Sequence, residues 1–326
     1  MGSHVRSVAL VAFTLPVLGA IAPVTAQNYP LKTIRILAPF VAGGPTDAQA
    51  RWAAQQLNAA FGQPVLVENR TGAGGVLAVE AVAKSAPDGY TLLMGNAGPL
   101  SIAASIRKQL PYDVMNDLVP ITLLAKTASC MCVHPSVPAK NIREFIALAK
   151  SQPGKINYGT SGVGTVGHLA IELLAVHGGV KFTHIPYKGA AQVIVDQISG
   201  SIELTSLQFA ATAPFIKQGR LRALGVTSAK RSSLIPEVPT IAEQGLPGYE
   251  CVNWAGLLAR RGTPPAIVNR ISEILKTQLA TPEAARLFTE QGHEIVASTP
   301  PDFDAFLRME IAQWAQVVKT AGIPRE

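Results

Sequence analysis

Two stretches of this chain share one pattern, in which a short apolar strand enters a glycine turn and an apolar-periodic helix leaves it. The first reads IRILAPFVAGGPTDAQAR over Ile34–Arg51, and the second reads INYGTSGVGTVGHLAIELLAVH over Ile156–His177. Such a unit is typical of a parallel α/β sheet, with the turn at the carboxyl end of the strand. Unpaired backbone N–H groups and the positive end of the helix dipole converge there. The pattern therefore predicts two anion-binding turns.

Alternating strand and helix signals extend this α/β pattern along the chain. The first unit begins with a strand at Thr33–Ala38, followed by a helix from about Asp47 to Ala60 that ends at Gly62. Thr46 and Gln49 form a T-x-x-Q capping box, which places the start of that helix. The other predicted strands are Pro64–Glu68, Tyr90–Met94, Lys181–Pro186, Ser201–Leu207 and Leu221–Thr227, and the other predicted helices are Val76–Lys84, Ile142–Lys150, Ala190–Ile198, Ala213–Lys217 and Thr240–Gln244.

Two longer apolar stretches, Leu118–Val133 and Tyr249–Leu258, are interpreted as strands that cross between two domains. The chain is long for one hydrophobic core, and its composition is that of a compact α/β protein. We expect residues 27–125 and 253–326 to form the first domain and residues 126–252 the second. The helical tail Pro264–Glu326 is expected to pack on the first domain.

The N-terminus has the features of a cleaved secretory signal peptide over Met1–Ala26. Arg6 is its positive start, Val8–Ile21 its apolar stretch, and Val24-Thr25-Ala26 a small-residue cleavage site. The apolar stretch is too short to cross a bilayer comfortably, although a retained anchor is the alternative. We expect a periplasmic protein that begins near Gln27.

The charge and the cysteines narrow the classes of function. The net charge of +7 is spread along the chain without a basic run, which argues against nucleic-acid binding and favours small anions. The six histidines show no metal-ligand spacing, so neither a metal nor a cofactor is expected. Cys130 and Cys132 lie on one face of a predicted strand; they are interpreted as buried thiols, or one of them pairs with Cys251.

Each glycine turn supplies candidate ligand-binding residues. Backbone N–H groups and nearby hydroxyls are suited to surround a carboxylate, and glycine lets a ligand approach the backbone closely. A turn asparagine, a packed helix histidine and a solvent-facing lysine are the simpler interpretations of Asn96, His168 and Lys188. The candidates are Phe40, Ala42, Gly43, Gly44, Pro45, Thr46, Asp47 and Asn96 in the first domain, and Thr160, Ser161, Gly162, Gly164, Thr165, His168, Tyr187 and Lys188 in the second.

The second turn is also consistent with two enzymatic interpretations besides simple binding. Gly162–Gly167 satisfies G-x-G-x-x-G, but the next predicted strand does not end in the acidic residue that a dinucleotide site requires. Ser161 lacks the following glycine of a G-x-S-x-G hydrolase elbow, because position 163 is Val. An exported serine hydrolase that uses Ser161, with His168 or His184 as base, remains the alternative hypothesis.

A set of motifs spread over the mature chain resembles the Bug, or TctC-like, family of periplasmic solute-binding receptors of tripartite tricarboxylate transporters. Each motif alone is weak, and the combination is specific. They are PFVAGGPTD at Pro39–Asp47, NRTGAGG at Asn69–Gly75, PDGYTLL at Pro87–Leu93, LPYD at Leu110–Asp113, YGTSGVG at Tyr158–Gly164, PYKG at Pro186–Gly189 and LRAL at Leu221–Leu224.

The resemblance implies a two-domain α/β protein of the periplasmic-binding-protein type (type II, Venus-flytrap), with two crossover strands and a ligand in the interdomain cleft. It implies that the Phe40–Asp47 and Thr160–Thr165 turns hold a carboxylate, partly through water. The implied partners are a small carboxylated metabolite and the membrane subunits of a tripartite transporter or a sensor kinase, and we expect a monomer. Ser201–Ser206 departs from the aspartate and later phenylalanine usual in the family, and Ala78 replaces a common glycine.

Overall fold

The computed structural model describes residues 29–187 and 189–325. The predicted signal peptide and Lys188 therefore lie outside the described residues. Within the described part, no helix combines the length and the hydrophobicity needed to cross a bilayer.

The described chain folds into strands and helices that alternate as the sequence predicts. The strands are β1 (Ile34–Ala38), β2 (Val65–Asn69), β3 (Thr91–Asn96), β4 (Leu118–Val133), β5 (Asn157–Thr160), β6 (Thr183–Pro186), β7 (Leu204–Gln208), β8 (Arg222–Val226), β9 (Val252–Arg260) and β10 (His293–Ile295). The α-helices are α1 (Pro45–Phe61), α2 (Val76–Ala83), α3 (Ala103–Ile106), α4 (Val114–Asp117), α5 (Ile142–Ser151), α6 (Val166–Gly178), α7 (Ala190–Ile198), α8 (Phe209–Lys217), α9 (Pro265–Leu279), α10 (Pro282–Glu290) and α11 (Pro300–Ala321). A π-helical stretch, Gly98–Ile102, precedes α3, and 3₁₀ turns occur at Ala73–Gly75 and Ala242–Gln244.

The long strand β4 belongs to two sheets, which define two lobes. Its residues 118–128 pair with β9 in lobe 1, where β1 lies between β2 and β3 and β3 pairs with β9. Its residues 129–133 pair with β7 in lobe 2, where β5 lies between β7 and β6. Strands β10 and β8 also pair with β4, one in each lobe. The predicted crossover at Leu118–Val133 is thus one continuous strand shared by the lobes.

The strand pairings on β4 place the carboxyl ends of the strands in lobe 1 opposite the carboxyl ends of the strands in lobe 2. Strands β1, β2 and β3 are parallel, and two antiparallel pairings through β9 give β4 the same direction. Strand β7 is antiparallel to β4 and parallel to β5, so the lobe 2 strands run the opposite way. Asn96 aligns through Ala255 with Ala125, whereas Gln208 aligns with Ser129. The carboxyl ends of β3 and β7 are therefore about 13 Å apart along β4.

Helix α11 joins the lobes at the crossover strands. It packs against β4, α3 and the preceding π-helical stretch, and also against α6 of lobe 2. The indole N–H groups of Trp254 and Trp314 both donate to Oε2 of buried Glu310, at 3.0 and 3.1 Å. Burial raises the pKa of the Glu310 carboxyl. Helix α11 of the tail thus contacts lobe 2 in addition to the lobe 1 elements on which the tail is expected to pack.

The structure corrects one local interpretation, the capping box, and decides between the two interpretations of the cysteines. Helix α1 starts at Pro45, so its N-cap is Gly44, which has no side chain that could cap the helix. Thr46 lies inside the helix. The predicted Thr46–Gln49 capping box is therefore wrong. All three cysteines are free thiols, with Cys130 Sγ and Cys132 Sγ 3.6 Å apart and Cys251 Sγ near Val166 O, so the interpretation as buried thiols is confirmed over the disulfide.

Candidate functional site

The turn between β1 and α1 leaves the first amides of the helix available. Gly43 has φ +84°, a left-handed conformation that glycine adopts without strain. Its N–H donates to Oδ2 of Asp47 at 2.9 Å, which bends the turn back onto the helix. Because α1 has no side-chain cap, its first-turn N–H groups point out of the helix without a side-chain acceptor. They form an electropositive end on lobe 1.

Asp47 holds this turn in place through a complete set of internal bonds. Its Oδ2 also accepts from Arg51 Nε at 2.9 Å, and its Oδ1 accepts from Asn69 Nδ2 at 2.8 Å. Asn69 Nδ2 donates as well to the carbonyl of Phe40 at 2.9 Å. Burial opposes ionisation, but the hydrogen bonds and the charge of Arg51 hold the pKa of Asp47 below its ordinary value. Asp47 thus shapes the turn, and its carboxylate oxygens are already occupied.

The turn between β5 and α6 is shaped by its own hydroxyl groups. Thr160 Oγ1 donates to Gly162 O at 3.1 Å, and Thr165 Oγ1 donates to the same carbonyl at 2.9 Å. Thr165 is the N-cap of α6 and accepts from the His168 amide. The half-buried Ser161 makes no hydrogen bond to the described residues. Of the three hydroxyls expected to surround a carboxylate, only that of Ser161 is therefore uncommitted.

Two stacked imidazoles lie beneath this second turn. The rings of His168 and His184 are 4.2 Å apart between centroids, and His184 also stacks on Tyr158 at 4.8 Å. His168 Nδ1 accepts from the Gly164 N–H at 3.1 Å, and His184 Nε2 lies 2.7 Å from Thr160 Oγ1. Burial, and next the neighbouring His184, lower the pKa of His168 to about 4, and burial also lowers that of His184. Both histidines therefore support the turn as neutral rings at neutral pH.

Tyr187 likewise has an internal role. Its hydroxyl donates to Oδ2 of Asp196 at 2.7 Å, and its backbone N–H donates to Thr160 O at 2.9 Å. Burial and the Asp196 carboxylate raise the pKa of Tyr187 to about 12. Lys188, the adjacent candidate, lies outside the described residues.

Asn96 and three residues that the sequence analysis did not select carry buried polar atoms with no partner among the described residues. Leaving such an atom unpaired costs roughly 1–3 kcal/mol, so each one is informative. Asn96 ends β3, Gln49 lies in α1, Ser101 precedes α3 and Ser206 is in β7. The atoms are Asn96 Oδ1, Gln49 Oε1, Ser101 Oγ and Ser206 Oγ.

The candidate residues thus form two groups, one on each lobe. At the carboxyl edge of lobe 1, the first turn and the start of α1 contain Phe40, Ala42, Gly43, Gly44, Pro45 and Thr46. At the carboxyl edge of lobe 2, the second turn contains Ser161, Gly162 and Gly164. The lobes touch beside the second turn, since a Cβ on Gly164 would overlap the side chain of Ile106 in α3.

The geometry does not provide the groups that a hydrolase needs. Ser161 has no histidine within hydrogen-bonding distance in the described chain, because His168 is bonded to Gly164 and His184 to Thr160. A Ser–His pair is the minimum for that chemistry. No cluster of three or more metal-ligating side chains occurs in the described part either. The arrangement is suited to hold an anion.

Comparison with known proteins gives one consistent result. Residues 49–323 match the model described as "Tripartite tricarboxylate transporter family receptor". Protein BugT of Bordetella pertussis is 35% identical over 318 residues, which cover 97% of this chain and 98% of BugT. An R. palustris protein solved with adipate is 34% identical, with a TM-score of 0.77, over 91% of this chain and 100% of that one. MatC of Rhodopseudomonas palustris, solved with bound malate, is 30% identical, with a TM-score of 0.72, over 89% and 100%.

Proposed function

Because this chain belongs to the tripartite tricarboxylate transporter receptor family, we propose that it captures a small carboxylate between its two lobes and does not alter it chemically. The family consists of solute-binding receptors, not enzymes. The solute class is a di- or tricarboxylate, an amino acid or an aromatic acid, and the captured solute is delivered for uptake or sensing.

One observation carries this proposal: each lobe presents a glycine turn at the carboxyl edge of its sheet, and the two edges point toward each other. The α1 turn offers amides without a side-chain cap, and the α6 turn offers the Ser161 hydroxyl beside Gly162. Amides, hydroxyls and helix dipoles can balance a carboxylate without a cationic side chain. Bound water can complete such a shell.

The neighbours support a carboxylate as the solute. Two of the solved relatives are named for complexes with adipate and malate, both of which are dicarboxylates. Closing the lobes over such a solute removes water from around the carboxylate and strengthens its hydrogen bonds. A micromolar Kd requires a net binding free energy of only about 8 kcal/mol.

The proposal includes export and a partner. Two related solved proteins are named as periplasmic, one as a periplasmic transporter and the other as periplasmic binding protein BugD. We assign residues 1–26 as a signal peptide that leaves a periplasmic chain beginning near Gln27. Residues 27–125 and 253–326 form the first domain in this scheme, and residues 126–252 form the second. The receptor acts as a monomer and delivers its solute to the membrane subunits of a tripartite transporter or to a sensor kinase.

The proposal is tested by titrating ligand-free mature protein with a panel of mono-, di- and tricarboxylates, amino acids and aromatic acids. We expect at least one acid to raise the Tm and to bind in calorimetry, since a ligand at 100 times its Kd stabilises the native state by about 2.7 kcal/mol. The matching amides and alcohols, which lack the charge, serve as controls. An absence of binding across the whole panel would refute the proposal.

A further inference from the structure

One contact between the lobes joins an apolar side chain to a bare stretch of backbone. A Cβ built on Gly164, in the turn before α6, would lie 2.4 Å from Cδ1 and 3.8 Å from Cγ1 of Ile106 in α3. Carbon atoms that are not bonded to each other pack at about 3.5–4.0 Å. The end of the Ile106 side chain therefore lies where any other residue at position 164 would place its own side chain.

Ile106 is held in lobe 1 by hydrogen bonds on both sides of it. The carbonyl of Ser105 accepts from Arg325 Nε at 3.1 Å. Arg107 Nη2 donates to the carbonyl of Ala73 at 2.7 Å. The residues before and after Ile106 are thus bonded to distant parts of the chain, which fixes the position of α3.

Gly164 is fixed in lobe 2 in a similar way. Its N–H donates to His168 Nδ1 at 3.1 Å, and its φ is +72°. Helix α11 packs against both α3 and α6, so the contact lies beside the helix that joins the lobes. The spacing between Ile106 and Gly164 therefore bears directly on the angle between the lobes.

We propose that Ile106 is a positioning residue that sets the end point of lobe closure, because closure stops where its side chain meets the backbone of Gly164. This inference rests on the proposed function, in which the lobes close over a carboxylate. Gly164 belongs to the second glycine turn, so the contact also sets how near this turn comes to the first turn on lobe 1. A solute is bound tightly only when both turns reach it, and its apparent affinity falls with the fraction of molecules in that closed state.

Transfer of one methyl group between the two residues tests this role. Gly164→Ala adds a methyl group where Cδ1 of Ile106 lies, so the two carbons must move apart by about 1 Å or more. Ile106→Val removes Cδ1 and leaves room for the added methyl group. We expect Gly164→Ala to weaken binding roughly fivefold or more in the parent protein, but less than about twofold in the Ile106→Val background. Calorimetry with succinate, L-malate and adipate measures both effects, and circular dichroism verifies folding.

Spin labels measure the distance between the lobes and need no solute. Gln55→Cys on α1 and Gln192→Cys on α7 place one label on each lobe at exposed positions, whereas the native thiols are buried. We expect Gly164→Ala to lengthen the label-to-label distance by about 1 Å or more, since the added methyl group acts as a spacer. Ile106→Val should reverse this change.

Gly179→Ala is the matched control for backbone strain. Gly179 follows α6 and is left-handed at φ +62°, like Gly164, but a Cβ there would meet no atom within 4 Å. Its substitution should add similar strain while the label distance and the affinity stay as in the parent protein.

Two outcomes would overturn the inference. One is an equal effect of Gly164→Ala in both backgrounds, since backbone strain alone would then explain it. The other is an unchanged label distance in Gly164→Ala, which would show that Ile106 rotates away without moving the lobes. Failure of the proposed function is seen separately, as an absence of binding to the parent protein; the label distances then decide on their own whether Ile106 sets the spacing of the lobes.

Discussion

At the scale of single residues, His168 has two properties that support the second glycine turn. It accepts a hydrogen bond from Gly164 in the candidate turn, and its pKa of about 4 keeps it neutral well below neutral pH. A protonated ring could not accept from Gly164 and would face the nearby His184. Tyr158, which stacks on both imidazole rings, donates its hydroxyl hydrogen bond to Glu172 of α6.

His168 should therefore make the stability of the protein depend on pH. Its pKa is lower in the folded chain than the ordinary 6.5, so the unfolded chain binds an extra proton as the pH falls from about 7 toward 4. Between pH 7 and pH 5 this costs the native state about 2 kcal/mol. His168→Gln, which keeps an acceptor without the titration, should lose less stability over that interval by about this amount.

Urea denaturation of both proteins at pH 7 and pH 5 measures the difference. His293, whose pKa is also lowered by burial, contributes equally to both proteins and cancels. His184 stacks on the substituted ring, so any change in its contribution is part of the measured difference. Equal losses in the two proteins would contradict the assignment.

Residue roles were the part of the site least accessible from the sequence. The glycine and hydroxyl motif at Thr160–Thr165 identifies a turn, but it does not reveal that two of its hydroxyls are bonded within the turn. The T-x-x-Q spacing predicts a capping box with Gln49, but α1 starts at Pro45, one residue before Thr46, so Thr46 cannot be its N-cap. The link from Asn69 to Asp47 joins residues distant in sequence, and no local pattern indicates it.

At the scale of elements, the two ends of α1 have similar glycines but differ in their relation to the candidate site. Both ends have a glycine with positive φ, Gly43 before the helix at +84° and Gly62 after it at +63°. A Cβ at either position would meet no atom within 4 Å, so backbone strain is the main effect of alanine there. Only Gly43 belongs to the candidate site, which provides a matched pair of substitutions.

Gly43→Ala and Gly62→Ala should each lower the free energy of unfolding by about 1 kcal/mol, the strain of a left-handed alanine. Gly43→Ala should also weaken carboxylate binding at least tenfold, because relief of the strain moves the turn and the Gly43 bond to Asp47. Gly62→Ala should bind normally. Titration calorimetry and thermal denaturation of both variants provide the test, and near-normal binding by Gly43→Ala would show that the solute does not use this turn.

Elements with strong patterns were predicted accurately. The bounds of β4 and α7 agree with the sequence predictions at both ends, since proline, glycine or a clear change of periodicity marks them. Strand β10 and helix α4 were missed, because β10 has 3 residues and α4 has 4, too few to show a period. Strand β10 forms only by pairing with β4, a tertiary contact.

At the scale of the whole molecule, α11 packs on both lobes beside the crossover strands, so we expect the lobes to unfold as one cooperative unit. Glu310 accepts from both tryptophans at this junction, and Lys126 pairs with Glu250 at 3.0 Å. Gln313 of α11 donates to the Glu250 carbonyl at 2.9 Å. The two-domain architecture was predictable from chain length and the crossover pattern, whereas this junction depends on residues far apart in sequence.

Glu310→Ala should destabilise both lobes together. The change leaves two buried indole N–H groups without their acceptor, at a cost of roughly 2–4 kcal/mol. Denaturant unfolding should shift to lower concentration and remain a single transition in both circular dichroism and fluorescence. Asp304→Ala on the same helix removes only an exposed ion pair with Arg308 and should cost less than about 1 kcal/mol. A variant in which the lobes unfold in separate steps would contradict the cooperative junction.

The shared Glu310 has one further consequence, for spectroscopy. The chain has three tryptophans, and two of them, Trp254 and Trp314, donate to the same carboxylate at the crossover. The third, Trp52, packs edge-on against Phe288 within lobe 1. Bending between the lobes should change the electric field at Trp254 and Trp314, whereas Trp52 serves as an internal reference. The intrinsic tryptophan fluorescence should therefore report closure of the lobes without an attached dye.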